Sequence, residues 1–102
     1  MPERIIQVTL CDVAKDHQDE FNEWYNHSHL PEVLGCPGWR AATRFESLEG
    51  QPQFLAIYEV DGPDVWKTPE FDEVKGFGPV APYILNVHPR FYREIFSAKE
   101  PS

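Results

Sequence analysis

The chain has 102 residues, a length that suits one domain. Its formal net charge of −8 disfavours nucleic acid and anionic membrane surfaces as partners, because both attract basic faces. No apolar run approaches the roughly 20 residues of a transmembrane helix, and the N-terminus lacks the pattern of a secretory signal. The expected location is therefore the cytoplasm, without a membrane contact.

The first half of the chain predicts a strand, a helix and a second strand. Residues 4–12 are rich in β-branched and apolar side chains, which favours a strand. A helix is expected from residue 16 to about residue 29, and Pro31 disfavours helical geometry at Leu30, so the helix should stop or kink there. A short helical turn is expected to begin at Pro31 and continue through Leu34. Residues 39–47 then alternate as a strand, with Trp39, Ala41, Thr43 and Phe45 on one face.

The second half predicts a strand, a helix and a strand. Residues 53–60 form the third strand, residues 64–74 a weaker helical region, and residues 83–96 the fourth strand, where Pro89 belongs at an edge or a bulge. The order β-α-β-β-α-β predicts an α+β, ferredoxin-like domain, with a four-stranded antiparallel sheet and both helices on one face. The domain is expected to span residues 1–98, followed by a flexible tail at 99–102.

The third strand is apolar on both faces. Phe54, Ala56, Tyr58 and Val60 alternate with Leu55 and Ile57. Two helices cover only one face, and the other would leave a large apolar patch in water. The sequence therefore predicts a two-fold homodimer, in which two sheets pack together and enclose a cavity.

A local motif follows the first helix. Trp24 and Tyr25 precede His29-Leu30-Pro31, and a Pro37-Gly38 turn leads into the next strand. This motif resembles the helix and turn of the EthD-like group of dimeric α/β-barrel proteins, and the element order agrees over nearly the whole chain. The resemblance implies the fold and a dimer. It leaves the reaction open, because related barrels include cofactor-free monooxygenases, haem-degrading enzymes, lactone isomerases and polyketide cyclases.

His29 is the first candidate for catalysis. It is expected near a helix C-terminus, where the helix dipole favours the imidazolium, and histidine suits general acid or base work. The alternative is that it caps the helix or binds a backbone carbonyl. His27, two residues away, is expected on another side of the helix, in solvent. No histidine or cysteine spacing matches a metal site, and haem has no attachment motif here, so neither metal nor cofactor is predicted.

Other residues are candidates for binding a substrate. Tyr58 is a candidate to point into the cavity between subunits and to donate a hydrogen bond to a carbonyl or oxyanion. The alternative is a core tyrosine with a satisfied hydroxyl. Tyr25 follows the same logic, with packing between helix and sheet favoured. Arg44 is a candidate for holding a carboxylate or an enolate, although a solvated arginine, or a partner for Glu46 or Glu59, is the more common outcome. His88 precedes the bend at Pro89 and faces either the pocket or the edge. Trp66, Phe71 and Phe77 are expected to form an aromatic lid or part of the helix–sheet core.

These candidates lead to two functional hypotheses. The first is a cofactor-independent acid/base enzyme of the isomerase, cyclase or monooxygenase type, acting on an aromatic, polyketide-like or lactone-like metabolite. His29 would be its acid/base, and Tyr58 would stabilise negative charge. The alternative is a non-catalytic small-molecule-binding protein, or an accessory protein for a partner oxygenase. A haem-binding monooxygenase is a third, weaker hypothesis.

Overall fold

The computed structural model describes residues 3–101. Four strands form the sheet: β1 (Ile5–Val13), β2 (Trp39–Glu46), β3 (Phe54–Val60) and β4 (Ile84–Arg93). The helices are α1 (Gln18–Trp24), α2 (Leu30–Leu34) and α3 (Pro69–Val74), and a π-helical turn, Tyr25–His29, joins α1 to α2. Short 3-10 turns cover Lys15–His17, Pro63–Lys67 and Gly78–Tyr83.

The sheet has the strand order β2-β3-β1-β4, and every pair of neighbours is antiparallel. The predicted ferredoxin-like α+β fold is thus confirmed. Strand β4 lies at an edge and pairs only with β1, where Pro89 stands opposite Thr9. An edge strand tolerates proline because its outer side makes no ladder hydrogen bonds.

The first helical segment runs on where a break was expected. Leu30 has helical backbone angles, φ −60° and ψ −47°, so the prediction of non-helical geometry there is wrong. The short helical turn predicted from Pro31 through Leu34 is present as α2. Leu30 stays helical because of the π-turn, in which its amide donates to the Tyr25 carbonyl five residues back. Pro31 then falls in the first turn of α2, where its missing amide hydrogen is tolerated.

The two faces of the sheet differ in what covers them. Along β3, Phe54, Ala56, Tyr58 and Val60 are buried under the helices, whereas Leu55, Ile57 and Glu59 on the opposite face are only partly buried. Phe45 and Tyr92 on the edge strands are about half exposed on that opposite face. The predicted two-sided apolar character of the sheet is present, and the helices cover one side.

Trp39 does not share a face with Ala41, Thr43 and Phe45, so that part of the strand prediction is wrong. A bulge at Arg40 shifts the register: Trp39 pairs with Val60, and Ala41 pairs with Glu59, the next residue along β3. Two residues of β2 therefore oppose one of β3, and Trp39 turns toward the helices. It is 5% exposed there.

The remaining chain adds little to the core. Residues 94–101 have no regular secondary structure, and Ile95 and Phe96 are exposed. Ser102 of the predicted tail, and Met1 and Pro2 of the predicted domain, lie outside the described residues. Within residues 3–101, no helix is long and apolar enough to cross a membrane.

Candidate functional site

A cavity of about 480 Å³ lies between the helix-covered face of the sheet and the helical segments. This volume is within the range of small-molecule sites. Six aromatic side chains form most of its wall: Tyr25, Trp39, Tyr58, Trp66, Phe71 and Phe77. Polar lining comes from Gln7, Thr9, His29 and Lys75. A single chain forms this cavity, on the side of the sheet opposite the uncovered face.

His29 enters the cavity wall from the π-turn and is 7% exposed. Its ring stacks on Trp24, with centroids 4.7 Å apart, and meets Tyr25 edge-on at 4.9 Å. Among the described residues, His29 Nδ1 is the one buried side-chain nitrogen or oxygen that has no hydrogen-bond partner. Such an atom is costly to bury and is suited to a ligand.

Burial lowers the pKa of His29 to about 4. The imidazole is therefore neutral near pH 7. The expectation that a helix C-terminus favours the imidazolium is wrong, because the helical segment continues past His29 to Leu34 and desolvation dominates. His27 is exposed and lies 3.7 Å from a Glu23 carboxylate oxygen, so the two histidines do diverge.

Tyr25 and Tyr58 meet through their hydroxyls, with the oxygens 2.5 Å apart. Burial raises the pKa of Tyr25 to about 12, and it also raises the pKa of Tyr58. Both phenols therefore stay protonated and serve as hydrogen-bond donors. One hydrogen is used between them and the other is left to donate. Tyr58 faces the helical segments and contacts Tyr25 of the π-turn, so the predicted orientation between two sheets is wrong. The alternative, a buried tyrosine with a bonded hydroxyl, matches the structure.

Arg44 lies behind this pair rather than in the cavity. Its guanidinium is 4.5 Å from the centroid of the Tyr25 ring and donates to the side-chain oxygens of Asn22 and Asn26 at 2.8 and 2.7 Å. It anchors β2 to the first helical segment. Its positive charge acts to lower the pKa of Tyr25, against the larger effect of burial.

The other predicted site residues separate into two groups. Trp66 and Phe77 line the cavity, as does Phe71. His88 does not: it pairs with Leu10 and lies on the uncovered face of the sheet. The structure thus brings together His29, Tyr25, Tyr58, Trp66 and Phe77, and it leaves Arg44 and His88 outside the cavity.

Sequence reasoning missed Gln7, Thr9 and Lys75. In β1, Gln7 and Thr9 alternate with Ile6, Val8 and Leu10. A strand with one polar and one apolar face normally turns the polar face to water. Here Gln7 is 1% exposed beneath the helices, so the strand is reversed relative to that rule. Lys75 lines the cavity while its ammonium lies 3.1 Å from an Asp72 carboxylate oxygen.

The buried carboxylate of Asp12 has a structural role. It accepts hydrogen bonds from the Gln53 amide at 2.8 Å and the Asn86 side chain at 2.9 Å. It therefore ties β3 and the irregular start of β4 to β1 and does not orient a histidine. In residues 3–101, no three histidine, cysteine or acidic side chains group together in a way that would hold a metal ion.

The fold is shared with solved structures of distant sequence. An EthD family protein from Bacillus halodurans matches with a TM-score of 0.69 and 14% identity, over 90% of this chain and 99% of that chain. A candidate antibiotic biosynthesis monooxygenase from Nitrosomonas europaea matches with a TM-score of 0.70 and 12% identity, over 97% of each chain. A haem degrader from Mycobacterium tuberculosis, with two haems bound in its active site, matches with a TM-score of 0.68 and 11% identity, over 93% of this chain and 99% of that chain.

These matches define the class as a ferredoxin-like α+β domain of the kind found in EthD and antibiotic biosynthesis monooxygenase proteins. The resemblance to the EthD-like group that the motif predicted is confirmed at the level of the fold. No family model and no curated protein matches the chain. At these identities the likeness establishes the fold alone.

Proposed function

We propose that this protein is a small enzyme that catalyses proton transfer on an aromatic, polyketide-like or lactone-like metabolite held in the cavity. The reaction is an isomerisation, a cyclisation or an oxygen addition, and it requires no cofactor. The observation that carries the proposal is the enclosed, neutral His29 with its unpartnered Nδ1. Candidate monooxygenases and a haem degrader among the similar structures support a small-molecule enzyme.

His29 acts as the base. A neutral imidazole accepts a proton from a phenol or from a carbon beside a carbonyl. Its low pKa comes from desolvation by the surrounding protein, which disfavours a charged ring. An anion formed in contact with the ring favours the imidazolium and raises that pKa toward the working range. Proton transfer and charge pairing therefore support each other.

The Tyr25–Tyr58 pair stabilises the anion. One of the two hydroxyls keeps a hydrogen that is free to donate, and both residues line the cavity. A donor aimed at a developing oxyanion in a site shielded from water lowers the barrier by up to a few kcal/mol. The Arg44 cation under the Tyr25 ring increases the donor strength of that phenol.

For oxygen addition, the substrate anion is the reductant. A CH2 group and O2 give a carbonyl and water, so that one oxygen atom enters the product and the other leaves with both hydrogens. The aromatic wall then serves to hold the ring system and to limit water around the reactive anion.

The test compares two histidines. Hydroxyaromatic compounds and cyclic 1,3-diketones are incubated with the wild type, His29→Gln and the matched control His27→Gln, and products and oxygen uptake are measured. His29→Gln is expected to lower kcat/KM by at least about 10²-fold, while His27→Gln, altered at an exposed position, keeps wild-type rates. Equal rates in the wild type and His29→Gln would refute the assignment.

A non-catalytic binding or accessory protein is the second candidate. The aromatic wall of the cavity favours it, because a largely apolar pocket binds rings without chemistry. It predicts that the same compounds bind the His29→Gln protein with an affinity near that of the wild type. It also predicts that neither protein turns any of them over. Activity appearing only after a partner oxygenase is added would also favour this candidate.

The proposed assembly is a two-fold homodimer that packs the uncovered sheet faces together. That face carries apolar side chains on all four strands: Phe45, Leu55, Ile57, Val8, Leu10, Leu85 and Tyr92. A second copy offers the same surface and is self-complementary under a two-fold axis. Each subunit would keep its cavity on the outer, helix-covered side.

A further inference from the structure

Two polar side chains of β1 interrupt the aromatic wall of the cavity. Gln7 lies on a central strand of the sheet, opposite Tyr58 of β3, and is 1% exposed. Thr9 follows two residues later on the same face and also lines the cavity. A buried carboxamide is unfavourable unless its hydrogen bonds are complete.

The carboxamide oxygen of Gln7 is only partly hydrogen-bonded. Gln7 Nε2 donates to Thr9 Oγ1 at 2.9 Å and to the Val8 carbonyl oxygen at 3.2 Å, which uses both of its hydrogens. Gln7 Oε1 has one hydrogen-bonding neighbour among the described residues, Thr9 Oγ1 at 3.1 Å. A carboxamide oxygen accepts two hydrogen bonds, so at least one lone pair of Oε1 has no partner.

We propose that Gln7 and Thr9 are the specificity-determining pair of the cavity and bind a hydroxyl or N–H group of an aromatic ligand. Gln7 Oε1 accepts the donor, and Thr9 orients the carboxamide through its hydroxyl. The ring of the ligand packs against the aromatic wall, and its donor group lies against β1. The inference deepens the proposed function, on which it rests for the aromatic nature of the ligand.

A role of Gln7 in supporting the fold and a role in binding a ligand predict opposite effects of an apolar substitution on stability. If Gln7 supported the fold, replacing it with an apolar side chain of similar length would lower the unfolding temperature. If its hydrogen bonds serve a ligand, Gln7→Met removes an incompletely bonded group from an aromatic environment, and stability stays equal or rises.

The experiment measures the binding of naphthol and its methyl ether by calorimetry. The ether keeps the ring and an acceptor oxygen but lacks the donor hydrogen. Gln7→Met is expected to weaken naphthol binding by about three- to tenfold, the cost of one neutral hydrogen bond. Binding of the ether should change by less than about twofold, and the unfolding temperature should stay at or above that of the wild type. Gln51→Met, exposed in the β2–β3 loop, is the matched control.

Thr9→Val provides a second variant if Gln7→Met does not fold, and it is expected to reduce the preference for naphthol in the same way. The inference is overturned if the variants bind both probes equally more weakly, if the affinity for neither probe changes, or if the wild type does not prefer naphthol to the ether. Turnover of His29→Gln, measured in parallel, separates the two proposals. If turnover depends on His29 but the wild type does not distinguish naphthol from its ether, only this inference is refuted. If the wild type distinguishes the two probes but turns over no compound, only the proposal of an enzyme is refuted.

Discussion

Trp24 and His29 stack with their ring centroids 4.7 Å apart and their planes 19° from parallel, although they are five residues apart. In an α-helix such residues point roughly 140° apart. The π-turn at Tyr25–His29 removes that divergence, because its i→i+5 bonding sets residues five apart one above the other. Gly78 supports Trp24, and a Cβ added there would lie 3.1 Å from the indole.

Lengthening the π-turn should therefore disrupt the site while leaving the helix. Inserting an alanine after the exposed His27 makes Trp24 and His29 six residues apart, and such residues point roughly 120° apart in an α-helix, so His29 rotates away from Trp24. Deleting His27 instead leaves the two four residues apart, on one helical face, and should keep them stacked. For the insertion, we expect retained far-UV helical signal, a changed near-UV aromatic signal, and loss of most naphthol affinity. Deleting Glu49 in the exposed β2–β3 loop is the control and should change neither signal. Wild-type near-UV signal and affinity after the alanine insertion would contradict this account of the turn.

Stability should depend on pH through His29. Its folded pKa, about 4, lies below the ordinary value of about 6.5 expected in the unfolded chain. The unfolded state therefore binds the proton first, and stability falls as pH drops from about 6.5 toward 4. Between pH 7 and pH 5 the loss from this group is on the order of 2 kcal/mol.

Urea unfolding at both pH values measures this loss, with His29→Gln and His27→Gln compared. The His29→Gln protein should lose less free energy of unfolding on acidification than the wild type. The His27→Gln protein should behave like the wild type, because that side chain is exposed. An identical pH dependence of stability in all three proteins would show that His29 is not a buried imidazole with a lowered pKa.

The tyrosine pair should show strong coupling. Tyr25→Phe or Tyr58→Phe leaves the remaining buried hydroxyl without its partner, and each should cost about 1–3 kcal/mol of stability. The double variant removes both hydroxyls and should be more stable than the sum of the single effects predicts. Thermal or urea unfolding of all four proteins gives the coupling free energy. Strict additivity would mean that the two hydroxyls do not depend on each other.

The uncovered sheet face should control assembly. Ile57 lies at its centre on β3, and Ile57→Lys would place a charge in the proposed two-fold contact. Light scattering should give a dimer for the wild type and a monomer for Ile57→Lys. Glu32→Lys, on the exposed surface of α2, should remain dimeric. A wild type that is monomeric at micromolar concentration would remove the dimer from the proposal.

The element order was predictable because hydrophobic periodicity and proline positions report directly on strands and helices. Pro89 indicated an edge strand, and Phe54 to Val60 indicated a sheet with two apolar faces. Both follow from local chemistry that neighbouring elements do not alter. The His29-Leu30-Pro31 motif also indicated a part of the chain that lines the cavity.

Three features depended on tertiary packing and were not predictable. The π-turn extends the helical segment past Leu30, since it adapts the backbone bonding to Pro31. The bulge at Arg40 turns Trp39 toward the helices. The alternation in β1 does not show which face of the sheet the helices cover, so the burial of Gln7 and Thr9 could not be predicted. In each case one residue of register, or the choice of a face, decides the outcome.

Strand β1 places cavity-lining side chains and the apolar side chains of the uncovered face on alternate residues, about 3.3 Å apart along one backbone. Mutational tolerance along this strand should therefore oscillate with a period of two. With the roles proposed above, changes at Gln7 and Thr9 alter the ligand preference, while Ile6, Val8 and Leu10 preserve the opposite surface. An evolving lineage would then acquire a new ligand preference in this strand without altering the proposed dimer contact.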